Sequence, residues 1–375
     1  MQESILVVGV EPKSLVNFRG HLLKALINKG YKVFAAADNI DADQNSKNSL
    51  NQIGVETYNI PIARTGMNPI KDLLSIFFFI RAFKDLRPSI VLAYTTKPVI
   101  WGGIASLFFR NQKFFALITG LGFAFTGNGS FKRNILKTII STLYGLGLIK
   151  AKAIIFQNPD DKNDFTNSGL LKKNKPTYVV NGSGVSLEDF PYSEVSEKKL
   201  NFLMISRLIG DKGVREYVEA GKILNKDNYV AHLHLVGAFD SNPDSMTRDE
   251  IEFWKELKWF TWHGPTNEVA SFINKSSVFV LPSYREGTPR TVLEAMSIGR
   301  AIITTNAPGC RETVVPNKNG FLVSIKNSEE LSKAMKKFVD SPSLVHSMGH
   351  HSRVIAENKY DVHKINKEMI KILES

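Results

Sequence analysis

Residues 278–295 read VFVLPSYREGTPRTVLEA: four apolar strand-formers, then a turn in which Glu286 and Glu294 bracket Gly287-Thr-Pro-Arg290. A short apolar run bounded by turn residues fits a buried parallel strand, and 292–298 continues with helical apolar spacing. Strand, tight turn and helix together form the unit from which parallel α/β sheets are built, and ligands bind such sheets at these turns. Thr288 is placed to cap the helix and Pro289 to be its first residue, where a missing N–H costs nothing. Gly287 lets the backbone approach a ligand closely, and the N–H groups of Arg290, Thr291 and Val292 suit a phosphate at the positive end of the helix dipole. Glu286 and Glu294, one before the turn and one inside the helix, can accept paired hydrogen bonds from the vicinal hydroxyls of two different rings. A nucleoside diphosphate sugar has that order of groups. Either glutamate alone is equally well explained as a turn cap or a solvated helix face; the combination is what informs. The sequence assigns Arg290 no partner.

The alternation continues outward in both directions. Strands fit at 5–10, 31–37, 54–60, 90–94, 114–119, 153–157 and 178–180, with helices at 15–29, 70–87, 98–109 and 131–148. The pattern pauses at Asn181-Gly-Ser-Gly184 and a polar stretch to Lys199, then restarts with strands at 201–206, 232–236, 260–263, 278–281, 301–305 and 320–323. This predicts two doubly wound Rossmann-like domains, residues 1–182 and 183–358, with a helix in 359–375 packing back on the first.

The net charge of +12 is concentrated in one segment. Residues 61–180 carry 17 Lys and Arg against 5 Asp and Glu, and no carboxylate lies between Asp85 and Asp160. Such a block predicts a polyanionic partner, either nucleic acid or an anionic membrane surface. The single cysteine, Cys310, excludes an internal disulfide framework and a multi-cysteine metal site. The opening MQESILVVGV reads as a buried strand rather than a signal peptide, and no apolar run approaches the roughly 18–20 residues that span a bilayer. Asp41-Ala-Asp43 has the Asp-x-Asp form of a metal site but sits in a polar loop and reads as solvated surface.

The stretches PSYREGTPRTVLEAMSIGRAII, APGCRETVVPNKNGFLV, SRLIGDKGV (206–214) and VNGSGVSLEDF (180–190) resemble the retaining glycosyltransferases of family 4, and the resemblance runs along the chain. It implies the GT-B fold, an α/β architecture in which two Rossmann-like domains face each other across a cleft. TKPVIWGGIASL and ITGLGFAF look most like bacterial enzymes adding sugars to undecaprenyl-diphosphate-linked oligosaccharides of surface polysaccharides or glycans.

By that resemblance Arg207 and Lys212 contact the donor diphosphate and stabilise the charge of departing UDP, so that no metal or other cofactor is required. Glu286 binds the donor hexose, with Gly287 and Thr288 beside it; Glu294 holds the ribose and His263 lies near the base. Many family members have a histidine after the fifth strand. Thr119 stands there in this chain, and a hydroxyl supports sugar positioning but no charge change. Lys13, Asn17 and Arg19 are further candidate acceptor or phosphate contacts. The implied activity is hexosyl transfer from a UDP-sugar, with N-acetylgalactosamine as the guess, to a lipid-linked oligosaccharide.

The helix 131–148 carries apolar lines Phe131, Ile135, Ile139, Leu143 and Leu136, Ile140, Tyr144, Leu148 beside Lys132, Arg133 and Lys137. It suits an anionic bilayer interface as well as a core face, and 70–87 has the same double reading. The implied location is cytoplasmic, peripheral on the inner face of the cytoplasmic membrane. A nucleotide-sugar epimerase on the same fold is one alternative. A basic nucleic-acid-binding protein is another, and the aromatics at 77–79, 108–109 and 114–115 lie inside apolar runs, which argues against nucleic acid.

Overall fold

The computed structural model describes residues 2–63, 69–120, 131–171, 174–195, 200–226, 231–242 and 244–375, without the side chains of 69–71 and 131–137. It divides into two compact units, residues 1–183 with 365–375, and residues 184–364.

The first unit is built on a parallel sheet in the order β3-β2-β1-β4-β5-β6-β7. These strands are β1 (Ser4–Val8), β2 (Lys32–Ala37), β3 (Glu56–Asn59), β4 (Ile90–Tyr94), β5 (Lys113–Ile118), β6 (Ala151–Phe156) and β7 (Thr177–Val179). Alternate residues of β1 go to opposite faces, as strand geometry requires. Ile5 and Val7 join a core with Leu22, Leu23 and Leu26 of α1 (Pro12–Asn28), while Leu6 and Val8 join Phe79 and Phe83 of α3 (Pro69–Leu86) on the other side. Because both faces are covered by helices, the central strands are apolar throughout rather than alternating.

Helix α13 (Val362–Glu374) belongs mostly to this unit: Ile365, Met369, Ile370, Ile372 and Leu373 are buried in the same core as α1. Its far end is pinned by a Lys29–Glu374 ion pair at 2.5 Å and a Tyr31 hydroxyl donating to Glu374 at 3.1 Å.

The second unit repeats the plan with the order β10-β9-β8-β11-β12-β13, all parallel. Its strands are β8 (Asn201–Ile205), β9 (His232–Val236), β10 (Phe260–Trp262), β11 (Val278–Leu281), β12 (Ala301–Thr305) and β13 (Gly320–Val323). Strand order reverses between β8 and β11, so the turns after these two strands flank the crevice where doubly wound sheets bind ligands.

Three helices are not visible in the apolar periodicity. In α2 (Gln44–Gln52) only Ser46 and Leu50 are buried, and in α6 (Pro159–Asn167) only Asp161 and Phe165. Asp43 caps α2 by accepting from the Ser46 N–H at 3.1 Å, and Asp41 pairs with Lys47 at 2.7 Å. The Asp-x-Asp stretch is therefore a helix start and not simply a solvated loop. The third, α8 (Arg248–Lys255), begins with a full Thr247–Glu250 capping box.

Candidate active site

The turn after β11 leads into α10 (Arg290–Ile298), and its start lies one residue later than the sequence suggests. Pro289, extended at φ −73° and ψ 108°, is the N-cap, and its carbonyl accepts from the N–H of Val292 at 3.1 Å. Thr288 does not cap; its hydroxyl donates to the Gly287 carbonyl at 2.9 Å. The reason is tertiary, because the turn is held from outside the helix. Glu286 N–H donates to the Pro308 carbonyl at 2.9 Å, and Gly309 packs its α-carbon against the Glu286 backbone. Val292 N–H is consumed within the helix and is not a phosphate donor.

Lys212 arrives from the neighbouring turn. After β8 the chain runs through Arg207 to a 3-10 turn, Gly210–Lys212, which ends on Gly213 at φ +76° before α7 (Val214–Lys226). A Cβ on Gly213 would lie 2.2 Å from the Pro282 carbonyl oxygen, so only glycine lets the two turns approach this closely. The turns are also laced by hydrogen bonds: the Asp211 carbonyl accepts from the Tyr284 N–H at 2.8 Å and the Ser283 hydroxyl at 3.1 Å. The Tyr284 hydroxyl donates to Glu216 of α7 at 2.5 Å; burial first, then that carboxylate, raises its pKa.

This lacing brings Lys212 and Glu286 into a direct ion pair, both side chains more than four-fifths buried. An ammonium has three donors, so one bond to Glu286 leaves two for a phosphate. Arg207 lies on the same turn, half exposed, with Nη1 held by the buried Asp240 carboxylate at 2.8 Å. A cation fixed at one point and open at the rest is preorganised for an anion.

Glu294 and Arg290 also pair, Nε to Oε1 at 2.7 Å, one helical turn apart. Glu294 is thus a partner of Arg290. Burial raises the Glu294 pKa and the Arg290 charge opposes this. A ribose read by Glu294 would have to share the carboxylate with Arg290. Thr291 follows Arg290 in the first turn, its hydroxyl donating to the Ile205 carbonyl at the end of β8 at 3.3 Å.

His263 follows the edge strand β10 and is separated from β8 by β9, outside the laced turns. It shares a hydrogen bond with His234, Nε2 to Nδ1 at 3.0 Å, and His232 stacks on His234 with ring centroids 4.7 Å apart. Burial, then the charges of His232 and His263, depresses His234 to about 4, and burial also lowers His263. A histidine bound neutral in the fold opposes folding once the unfolded chain takes up protons, so this cluster's stability is present above pH 6.5 and declines towards pH 4. We expect the melting temperature of His234→Gln to fall less than that of the parent over this interval in a pH series of thermal melts.

In the first unit, Thr119 is half-buried just beyond β5. Arg19 is buried with its guanidinium over the Tyr94 ring at 5.0 Å, which makes it a core side chain as well as a candidate contact. The side chains of Lys132, Arg133 and Lys137 lie outside the described residues, as does most of ITGLGFAF. Among the described residues no three histidine, cysteine or acidic groups are arranged to hold a metal ion. Asp240, Glu216, Tyr284 and Gly309 support the site without a local signal in the sequence, since each meets its partner only across the fold. Asp240 is 33 residues from Arg207, and Glu216 is 68 from Tyr284.

Two doubly wound parallel domains, with Lys212–Glu286 and Arg207–Asp240 ion pairs on the strand-end turns of the second, define the GT-B class. The chain belongs to the group 1 glycosyl transferases, whose family model matches residues 186–374; a glycosyl transferase 4-like model matches residues 14–158. Among curated relatives, the Campylobacter jejuni N,N'-diacetylbacillosaminyl-diphospho-undecaprenol alpha-1,3-N-acetylgalactosaminyltransferase is 30% identical over 345 residues, 88% of either chain. The Escherichia coli UDP-Gal:alpha-D-GlcNAc-diphosphoundecaprenol alpha-1,3-galactosyltransferase is 26% identical over 306 residues, 77% of this chain and 76% of its own. Sucrose-phosphate synthase from Thermosynechococcus elongatus superposes with a TM-score of 0.82 at 19% identity, covering 100% of this chain and 98% of that one. Anabaena HepE in complex with UDP-glucose superposes with a TM-score of 0.77 at 17% identity, covering 99% of each chain. At these identities the structural likeness concerns the fold.

Proposed function

We propose that this glycosyltransferase moves a hexose or N-acetylhexosamine, with N-acetylgalactosamine first among the candidates, from a UDP-sugar to an undecaprenyl-diphosphate-linked saccharide, with retention of configuration and without a metal ion. The reading is carried by one observation: Lys212 and Glu286 meet at the switch point of the second sheet, with Arg207 on the same turn. The Campylobacter and E. coli relatives, named for diphospho-undecaprenol acceptors, support the acceptor class, and the former supports the donor.

In this reading Glu286 accepts hydrogen bonds from donor-sugar hydroxyls, with Gly287 and Thr288 beside it. Arg207 and Lys212 meet the diphosphate. The C1–O bond breaks with its electron pair going to the leaving phosphate, whose charge the two cations stabilise in place of a metal. The acceptor hydroxyl forms its bond to C1 from the same face, and its proton passes to the leaving phosphate oxygen. Pro289, Arg290, Thr291 and Glu294 shape the nucleotide side and His263 the base side.

The test is transfer from a panel of UDP-sugars to synthetic undecaprenyl-diphosphate saccharides in excess EDTA, with the product anomer read by NMR. The reading requires the donor's anomeric configuration in the product and activity retained in EDTA; inversion or strict metal dependence rejects it.

The proposal extends to a peripheral position on the inner face of the cytoplasmic membrane. No helix among the described residues is long and apolar enough to cross a membrane. On α3, however, Leu73, Leu74 and Phe77 are 68%, 51% and 61% exposed, and on α5 (Phe131–Gly147) Tyr144 faces the core while Ile139 and Leu146 face out. Together with the basic residues Lys132, Arg133 and Lys137, these suit an anionic bilayer interface. Inserting one large apolar side chain is worth roughly 1.5–3 kcal/mol. Leu73→Ser with Phe77→Ser should therefore weaken sedimentation with anionic vesicles by at least about tenfold. Unchanged sedimentation would remove α3 from the interface.

A further inference from the structure

The first unit holds a pocket of about 560 Å³ at the edge of its sheet opposite the carboxyl ends of the strands. It lies where β5, β6 and β7 begin, three strands adjacent in the sheet. Arg110, Lys113, Lys150, Lys152 and Lys175 line it, and no carboxylate does.

The sequence around it deepens the imbalance. The pocket draws on the acid-free stretch between Asp85 and Asp160 and on Asn174, Lys175 and Pro176. Two of the cations cannot swing apart, because the backbone holds them. The Lys150 ammonium donates to the Phe109 carbonyl and, at 2.9 Å, to that of Ser106, at the end of α4 (Thr96–Ser106). The Lys175 ammonium donates to the carbonyls of Ile149 and Ala151, both at 2.6 Å. Lys113 reaches the Ser375 carbonyl oxygen at 3.4 Å, while Arg110 and Lys152 are exposed. Burial already lowers the Lys150 pKa, the direction in which neighbouring positive charge also acts.

Like charges gathered round a concave site repel one another, and an anion filling the site converts that repulsion into attraction. Arginine and lysine at fixed positions favour phosphate oxygens, which accept several charge-assisted bonds at once. We propose that this pocket is a second anion site, distinct from the donor site, for a ligand carrying one or more phosphate groups. The chemistry is shared by a soluble phosphate compound and by a phospholipid headgroup. Leu107, Phe108 and Ile149, large apolar side chains exposed beside Arg110 and Lys150 in the chain, make the headgroup a source worth its own arm.

The experiment compares the full chain with its Arg110→Gln/Lys113→Gln/Lys152→Gln variant, which alters only exposed side chains and leaves the two backbone-holding lysines in place. With UDP in excess, pyrophosphate is titrated by calorimetry; in parallel, sedimentation is measured with phosphatidylglycerol and phosphatidylcholine vesicles. Losing three charge-assisted donors should weaken binding by about tenfold or more, at an unchanged melting temperature. A difference in the pyrophosphate arm identifies a soluble ligand, and a difference confined to phosphatidylglycerol vesicles identifies a headgroup. Equal behaviour of the two proteins in both arms overturns the proposal. Because the readout is a difference between the two proteins, it stands whether or not UDP is the donor nucleotide.

Discussion

We expect Lys212→Ala to lower kcat for sugar transfer by about 10²–10³-fold, the usual effect of deleting one preorganised donor to a developing negative charge. In the proposed reaction the charge on the leaving diphosphate is largest in the transition state, so the loss should fall on kcat more than on KM. Lys212 also neutralises Glu286, and both are mostly buried. The alanine variant therefore also removes the cation that holds the Glu286 carboxylate in place in a partly desolvated site. Glu286→Ala should lower transfer at least as far while the fold persists. The double variant should be no worse than the poorer single one, because the two residues act as a unit. Steady-state kinetics of the four proteins checks this; additive losses would mean that the pair does not work together.

Gly309→Ala is expected to have the largest effect of any change that touches no ligand. Gly309 sits at φ +78°, and a Cβ there would lie 2.1 Å from the Glu286 carbonyl oxygen. The left-handed conformation alone costs a non-glycine residue about 1–2 kcal/mol. The clash is additional, and backbone cannot rotate aside as a side chain can. Relief requires moving the turn that carries Glu286, so transfer should fall by about 10²-fold, in line with the sensitivity of catalysis to small misplacements. Gly169→Ala supplies the control: its φ is +69°, but nothing lies within 4 Å of the added Cβ. That variant should lose about 1–2 kcal/mol of stability in denaturant melts and keep its activity. Equal activity in both glycine variants would show that the Gly309 contact does not position Glu286.

Much of the fold is legible in the chain's local patterns, and the features that are not have physical causes. The central strands of both sheets stand out because they are apolar on two faces; the edge strand β3, Glu56–Asn59, has no buried residue and is marked instead by the turn residues around it. Helix α2 does not, because it is polar nearly all round, and burial of Ser46 and Leu50 alone leaves no period to read. Helix α8 is legible in principle: Thr247 and Glu250 form the T-x-x-E signature of a capping box. At the central turn, propensity favours Thr288 as the cap, but Gly309 and the Glu286–Pro308 hydrogen bond hold the preceding segment and move the cap to Pro289. The Arg290–Glu294 pair has ordinary helical spacing and is readable from it; the fit of the Glu294 carboxylate to a ribose competes with that reading.

From the sequence alone come the α/β class, the two-domain plan and the places where strands end in turns. These are local properties, set by hydrophobic period, turn chemistry and the charges carried on a few adjacent residues. Tertiary structure decides which charges meet. Lys212 and Glu286 are 74 residues apart, Arg207 and Asp240 are 33 apart, and each pair forms only after parallel strands align the turns that follow them. Glycines at 213 and 309 then let those turns close to backbone contact, a fit that no local pattern encodes because the atoms it accommodates belong to another segment of the chain.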